Sequence, residues 1–374
     1  MHSTCGVLNF TADLIRPLSM PANGVKKKHP PELQGASAFF PFSELERKII
    51  SVITFNAALT APEIAKEIGV APHHVRYCLK KLFSRNLLVF EPFVNLFRLG
   101  FSIYTVFFSF REHGHGDLEL VKRHCLQHPR VCWLAHLGGM FKYGISICAR
   151  DREGFLTTWE SLQRRLRIQS GAFFGETVEV LSMTHYSPIN RPGKNYVYRQ
   201  IEAQNTGAIV NIDAEDHAIL AALNSQTRLN FQKIAAGVQL SAPAVAYRIR
   251  RLQETKVLGA FCYTAVLREQ GYLDYACLIK LGTISRSVVA KLHRMPRRCP
   301  YVMYIIQMQG AWDFEIGIQT GTSEQLADVH SEIFNTLGAQ IQDFRLVPVF
   351  KFMKTTKYPF DSYQSYLSDS VPKG

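Results

Sequence analysis

The sequence has no long apolar run and no basic leader followed by a sustained apolar segment. The first absence excludes a membrane-spanning helix, which needs about 20 apolar residues in a row, and the second argues against a secretory signal peptide. The eight cysteines include no CxxC pair, and several lie in apolar runs such as YACLIKL, where cysteine behaves as a small buried hydrophobe. These absences predict a cytoplasmic protein without a disulfide framework.

The sequence also lacks the common catalytic motifs. It has no GxSxG, no phosphate-binding P-loop and no dinucleotide fingerprint. Residues 124–132, HCLQHPRVC, place two histidines four residues apart, as a metal site on a helix would, but the spacing matches no structural zinc motif. We therefore predict no catalytic residue, no metal ligand and no cofactor.

Acidic residues are few relative to basic ones. The chain has 43 Lys and Arg against 30 Asp and Glu, a net charge of +13. An excess of this size favours a polyanionic partner such as nucleic acid, although a basic protein without one is the alternative. At 374 residues the chain is long enough for two or more domains.

What the chain does contain is an internal repeat. At a shift of 170 residues, residues 43–88 align with 213–258 without a gap, and after one added residue the match continues at a shift of 171. Ile49 then meets Ile219, and Pro129 meets Pro300. Each half therefore carries the same two parts in the same order.

The first part of each half predicts three helices with a tight turn before the third, the pattern of a helix-turn-helix. In SAPAVAYRIRRLQE, Val245, Ile249 and Leu252 recur at helical spacing and are expected to face the core. Small residues at the helix tip followed by arginines suit base edges and phosphates, while a merely solvated basic face is the alternative. The predicted DNA-binding residues are Ser241, Ala244, Tyr247, Arg248, Arg250 and Arg251 in the second copy, and His73, His74, Arg76, Tyr77, Lys80 and Lys81 in the first.

The second part of each half predicts the order strand, helix, strand, strand, helix, strand, which is typical of a ferredoxin-like sandwich. The sheet face away from the helices is apolar as well, so it needs a cover, most simply a second such sheet. The predicted fold class is α+β. Two tandem units, each a winged helix-turn-helix followed by a βαββαβ sandwich, would pair sheet to sheet as an intrachain pseudo-dimer.

Residues 43–355 resemble, in two tandem copies, the Lrp/AsnC family of transcriptional regulators, the feast/famine regulatory proteins. The resemblance rests on LSAPAVAYRIRRLQETKVLGAF and on the hairpin 310–314, GAWDF, which matches the family's G-x-x-D signature; Lys142 stands at the position of Asp313 in the first copy. It implies a winged helix-turn-helix that binds DNA and a sandwich domain that dimerises and binds an effector near the hairpin. The effector-binding residues so implied are Gly310, Asp313, Met308 and Tyr304.

The implied function is sequence-specific transcription regulation at the nucleoid, modulated by an amino acid or related small effector, with double-stranded DNA and self-association as partners. An aspartate that only caps its turn is the alternative for Asp313. Two other functions stay open: a siroheme decarboxylase-like enzyme of haem biosynthesis, whose family resembles Lrp/AsnC proteins in fold and domain order, and an interaction module that has lost DNA binding.

The predicted domain boundaries follow from the repeat and from turn-rich segments between its copies. They are a disordered arm with Lys26–Lys28 (1–41), a first winged helix-turn-helix (42–92), a first ferredoxin-like domain (93–186), a linker (187–211), a second winged helix-turn-helix (212–262), a second ferredoxin-like domain (263–355) and a tail (356–374).

Overall fold

The computed structural model describes residues 42–110, 117–166, 173–186 and 200–368. The predicted N-terminal arm with its lysines, the first part of the linker and the end of the tail lie outside these residues. The described chain mixes helices and strands, which confirms the predicted α+β class, and the same order of elements occurs twice along it.

Three helices open each half. In the first half they are α1 (Glu44–Ile53), α2 (Ala61–Ile68) and α3 (Pro72–Ser84), and in the second α6 (Ala214–Asn224), α7 (Phe231–Val238) and α8 (Ala242–Glu254). Ser43 and Asp213, at equivalent positions of the repeat, cap α1 and α6 by accepting hydrogen bonds from backbone amides of the first turn. Both third helices follow a short turn, as a helix-turn-helix requires.

A βαββαβ unit follows in each half. The first comprises β2 (Ser102–Phe110), α4 (Asp117–Cys125), β3 (Val131–Leu137), β4 (Tyr143–Ala149), α5 (Arg152–Arg165) and β5 (Phe173–Tyr186). The second comprises β8 (Leu273–Leu281), α9 (Arg286–Arg294), β9 (Val302–Gly310), β10 (Phe314–Thr320), α10 (Ser323–Leu337) and β11 (Ile341–Thr355). Both units have the order strand, helix, strand, strand, helix, strand that the sequence predicts.

The strands of the two units join into one closed ring. Their order is β2-β4-β3-β11-β8-β10-β9-β5, and β5 also pairs with β2. β11 pairs with β8 along its first half and with β3 along its second half. β5 likewise pairs with β2 along its first half and with β9 along its second half. The long strands β5 and β11 therefore belong to both units, and the result is an eight-stranded barrel.

This arrangement differs from the predicted stacking of two separate sheets. The units hydrogen-bond edge to edge, with Val349 opposite Leu137 and Val180 opposite Met308. The physical reason is the length of β5 and β11, whose overhanging ends satisfy the edge strands that a separate sheet would leave unpaired. The apolar inner faces are covered by closure of the ring.

A second, two-stranded sheet connects the helical and barrel parts. β1 (Leu88–Val94) follows α3, β7 (Leu258–Ala265) follows α8, and the two pair antiparallel with Phe90 opposite Tyr263. We call this pair the ribbon. The third helix of each half, α3 or α8, is thus attached to a strand that is hydrogen-bonded to the strand of the other half.

Two elements were not predicted. β6 (Gln200–Gln204) lies in the expected linker and pairs with the end of β5. In the tail, α11 (Tyr363–Leu367) packs against the body, with Tyr358 and Tyr366 at most 4% exposed. The Tyr358 hydroxyl lies 2.8 Å from Nδ1 of His217 on α6, so the tail contacts the second helical unit.

Three properties of the described residues bear on function. Their seven cysteines are all buried and free. None of their helices has the length and apolar character needed to cross a membrane. No group of three His, Cys, Asp or Glu side chains in these ranges is arranged to hold a metal ion.

Candidate functional site

The third helix of the second unit, α8, has one buried and one solvent-facing side. Val245, Ile249 and Leu252 are at most 3% exposed, as their spacing predicts. On the other side Tyr247 is 64% exposed and Arg250 is exposed as well. This outer face is available to a partner.

The tip of α8 is built from small residues. The Ser241 hydroxyl accepts a hydrogen bond of 3.3 Å from the Ala244 amide and so caps the helix. Pro243 occupies the first turn, where its missing N–H costs no helical hydrogen bond. Ala244 is half-buried. Because the side chains at the tip are short, this end of the helix can approach base edges closely.

Arg248 is bound within the domain, whereas the sequence predicts it free on the flank of the helix. Its guanidinium lies 2.8 Å from the Asp213 carboxylate and 2.9 Å from the Asp216 carboxylate, and it also bonds Glu215. The hydrogen bond to Asp213 is the largest cause that raises the pKa of Arg248. With its side chain 19% exposed and its charge neutralised, Arg248 ties α8 to the start of α6.

Arg251 shares this arrangement in part. It bonds Asp216, whose side chain is 1% exposed, while its own side chain remains 44% exposed. The first copy has an equivalent pair at the same repeat positions, Lys81 with Glu46 at 2.9 Å. An ion pair between the first and third helices therefore occurs in both units, and it holds the third helix against the first.

Removing the buried acid tests this structural role. We expect Asp216→Ala to lower the free energy of unfolding by about 2 kcal/mol, because two arginines lose a partner but can still reach water. The control Glu254→Ala removes an exposed acid from the end of α8, the helix that carries both arginines, and should change stability by less than about 0.5 kcal/mol. Chemical denaturation measures both; equal effects would contradict the role of the pair.

The third helix of the first unit, α3, has a cationic face that is more exposed than that of α8. Arg76, Lys80 and Arg85 are exposed and form no salt bridge within the described part of the chain. Tyr77 is 71% exposed. The two histidines near the tip, His73 and His74, are exposed too. Although the second copy carries the clearer family motif, the first presents more unpaired positive charge.

The hairpin between β9 and β10 uses its aspartate internally. The Asp313 carboxylate accepts hydrogen bonds from Lys280 Nζ at 2.9 Å and from the Leu281 amide at 2.8 Å, and Asp313 is 6% exposed. Lys280 also donates to the Gly310 carbonyl. Gly310 has φ of +126°, and a Cβ there would lie 2.6 Å from the Thr177 carbonyl oxygen, so only glycine fits.

The four residues implied for effector binding are not brought together. Met308 is 1% exposed inside the barrel core, with Phe107 and Trp312 as neighbours in the same cluster. Tyr304 lies nearer the start of β9 and lines a separate interior cavity. Gly310 and Asp313 stay at the hairpin, so the predicted effector site does not form as one pocket.

That interior cavity has a volume of about 570 Å³. The ribbon lines one side of it, and inward-facing barrel residues line the other. At the far end of the barrel the interior is filled by the core cluster that contains Met308 and Trp312. The volume lies within the range of about 300–1,000 Å³ that small-molecule sites use.

One acid in the cavity wall stands out by its burial. Glu315 on β10 is 5% exposed, and its carboxylate accepts a hydrogen bond of 2.7 Å from the Tyr304 hydroxyl. Burial raises the pKa of Glu315 to about 7, although the Tyr304 bond opposes the shift. Glu315 was not predicted from the sequence. The polar alternation in FEIGIQT was the available signal, since it puts Glu315 and Gln319 on one face of the strand.

Comparison with known proteins adds the following. Residues 212–253 match the AsnC-type helix-turn-helix domain, and these residues hold α6, α7 and most of α8. No curated protein matches the chain.

Among solved structures, the siroheme decarboxylase NirDL is similar with a TM-score of 0.55 and 13% identity, over 86% of this chain and 96% of that one. The same enzyme in co-complex with an iron-uroporphyrin III analogue gives a TM-score of 0.52 at 11% identity, over 85% of this chain and 95% of that one. An AsnC family transcriptional regulator from Agrobacterium tumefaciens is similar at 17% identity, over 39% of this chain and 94% of its own, with a TM-score of 0.34. At these identities the likeness concerns the fold.

The matched helix-turn-helix coincides with three helices whose caps, core positions and exposed outer face are described above. Residues 212–253 of the chain therefore form an AsnC-type helix-turn-helix domain.

Proposed function

We propose that the protein is a sequence-specific DNA-binding transcriptional regulator that acts at the nucleoid. The match of an AsnC-type helix-turn-helix to residues 212–253 carries the proposal. The exposed outer face of α8 and the unpaired cations of α3 support it, because both offer groups that bind phosphates and base edges. Tyr247 and Arg250 on α8, and Arg76, Tyr77 and Lys80 on α3, are the contacts we propose.

The two halves act as a covalent pseudo-dimer. The strand pairs β11–β3, β5–β9 and β1–β7 join the halves by backbone hydrogen bonds, which supports this proposal. Because the two recognition helices differ in sequence, the preferred site consists of two unlike half-sites, whereas an identical pair reads a near-palindrome. The covalent tether raises the effective concentration of one helix for the other.

Selection of bound fragments from random DNA at physiological salt tests this proposal. We expect Arg76→Ala with Lys80→Ala to erase one half-site, and Tyr247→Ala with Arg250→Ala to erase the other. The control pair Arg152→Ala with Arg164→Ala removes two exposed arginines from α5 and should leave both half-sites in place. Retention of both half-sites in both recognition-helix variants would refute the proposal.

A small effector, an amino acid or a related compound, modulates the regulator in this proposal. The interior cavity supports it, since the ribbon that lines the cavity also continues from α3 and α8. A ligand in contact with the ribbon would favour one relative position of the two recognition helices.

The same cavity favours a second candidate function, a siroheme decarboxylase-like enzyme. Siroheme carries many carboxylates, so such a site needs free cations. In the described lining Arg268 is already bonded to Asp274 and to the Val349 carbonyl, which leaves Lys351 and Lys357 as basic side chains, and the most buried acid, Glu315, would repel the substrate when ionised. A shift of the visible absorption band of siroheme on mixing with the protein would support the enzyme; an unchanged band would support the regulator.

A further inference from the structure

The interior cavity combines an apolar wall with buried hydrogen-bond acceptors. Ile103, Val180 and Phe93 contribute buried apolar surface to it. Its volume of about 570 Å³ accommodates a ligand of moderate size. The polar groups in such a wall decide which ligand chemistry fits.

Glu315 has unused capacity to accept hydrogen bonds. A carboxylate offers about four acceptor positions, and the Tyr304 hydroxyl occupies one of them. A Cβ at Gly317 would lie 2.1 Å from the Tyr304 ring. The glycine, two residues after Glu315, therefore lets the ring lie against β10 and reach the Glu315 carboxylate. The carboxylate is thereby held in a fixed place beside the cavity.

The charged groups around the cavity leave Glu315 without a cation. The other titratable lining groups are Glu91, His185, Arg268, Asp274, Lys351, Lys357, Cys132, Cys262, Tyr186 and Tyr263. Arg268 bonds Asp274, Lys351 is exposed to solvent, and neither Lys351 nor Lys357 forms a salt bridge with Glu315. Burial lowers the pKa of His185 well below its usual value, so this ring is neutral. In the part of the chain described, Glu315 is the buried acid of this lining that lacks a positive partner.

A second acceptor lies on the same face of β10. The Gln319 amide nitrogen donates to Asp274 at 2.7 Å, but its buried carbonyl oxygen has no hydrogen-bond partner among the described residues. A buried carboxylate with spare acceptor positions and a buried carbonyl oxygen without a donor favour a ligand that brings N–H groups, because an unsatisfied buried acceptor costs free energy.

The acid is present once in each chain. At the shift of 171 residues, Gly144 stands at the position of Glu315, and Cys148 at that of Gln319. The second unit alone therefore contributes a buried carboxylate to the cavity, whereas the first unit contributes the hydroxyls of Thr105 and Ser146, which bond each other at 2.7 Å.

We propose that the cavity between ribbon and barrel binds a small amphipathic amine, with an apolar body against the cavity wall and a primary ammonium group on Glu315. An ammonium pairs with the buried carboxylate and donates hydrogen bonds to it. The proposal concerns binding alone and does not depend on DNA, so its failure would leave the DNA-binding proposal standing.

Three probes with one phenyl-ethyl body test the proposal by calorimetry on the full chain at pH 7.5: 2-phenylethylamine, 2-phenylethanol and 3-phenylpropionate. We expect the amine to bind at least about tenfold more tightly than the alcohol, and the acid most weakly, because a charged hydrogen bond contributes about 1.5–3 kcal/mol. Glu315→Gln keeps the shape of the side chain and should remove the preference for the amine. The control Glu254→Gln should keep it.

A second variant locates the site without touching Glu315. Thr264→Trp enlarges a half-exposed residue of the ribbon that lines the cavity, and should abolish binding of all three probes. The proposal is wrong if no probe binds, if the acid binds as tightly as the amine, or if Glu315→Gln or Thr264→Trp leaves amine binding unchanged.

Discussion

Substituting glutamine for Glu315 will stabilise the protein by about 3 kcal/mol at pH 8 and will leave its stability almost unchanged at pH 4. The pKa of this buried carboxyl is about 7 in the folded protein, against an ordinary value of 4.5. Between these values the unfolded chain ionises freely while the folded one stays protonated, so folding becomes less favourable as pH rises. Glutamine does not titrate and escapes this loss.

The effect is measured as the difference between variant and parent in chemical denaturation across pH 4–8. Burial lowers the pKa of His128 from 6.5 to about 4. Because the unfolded chain binds this proton more readily, the protein becomes more stable as pH rises between these two values. This opposite trend is shared by both proteins and cancels in the difference. The control Glu254→Gln, at an exposed position, should show no comparable gain; a pH-independent effect of Glu315→Gln would contradict the burial of its charge.

Replacing Arg76 and Lys80 by alanine will weaken DNA binding about 100-fold near 150 mM salt. Each exposed cation that reaches a phosphate releases about one counterion, so the slope of log affinity against log salt should become shallower by about 2. Fluorescence anisotropy with a labelled duplex over 50–300 mM salt measures affinity and slope together. The double variant Arg152→Ala with Arg164→Ala serves as the matched control.

Arg248→Ala separates the structural from the direct role of the second basic helix. Because Arg248 is bound by three carboxylates, its loss should destabilise the second helical unit and leave the salt slope unchanged. If the Arg248→Ala protein is fully folded and its slope of log affinity against log salt is shallower than that of the parent, Arg248 contacts a phosphate directly, as the sequence suggests.

The helical part of the fold could be predicted largely from periodicity. Val245, Ile249 and Leu252 lie on one face of the helix, and that face packs into the core. Tyr247 lies on the opposite face and is exposed. The partners of Arg248 could not be predicted in this way. Asp213 and Asp216 lie more than 30 residues away on another helix, and helical spacing within α8 says nothing about them.

The sandwich was predictable as a set of elements, but its closure was not. Alternation in a strand shows which residues face inward, yet it does not show which neighbour accepts its backbone hydrogen bonds. The length of β11 was the available signal, since Phe352 and Thr355 extend it beyond β8 to pair with β3. β6 was missed because its five residues lie among turn signals.

The effector site shows the limit of a carried-over motif. The hairpin Gly310–Asp313 is present, but Lys280 already satisfies the aspartate, and Tyr304 faces a cavity elsewhere. Lys280 lies on β8, a sequence-distant strand, so its pairing with Asp313 emerges only from the three-dimensional structure. Glu315, two residues beyond the motif, has a buried carboxylate that accepts one hydrogen bond from Tyr304 and pairs with no cation, whereas Asp313 pairs with Lys280.

Because β5 and β11 each serve both halves, the barrel has a consequence for synthesis on the ribosome. The edge of β3 at 131–137 finds its partner only when residues 349–355 emerge, about 210 residues later. At roughly 5–20 residues per second this interval is on the order of 10–40 s. During it the nascent first half exposes an open strand edge, which a neighbouring nascent chain can also fill.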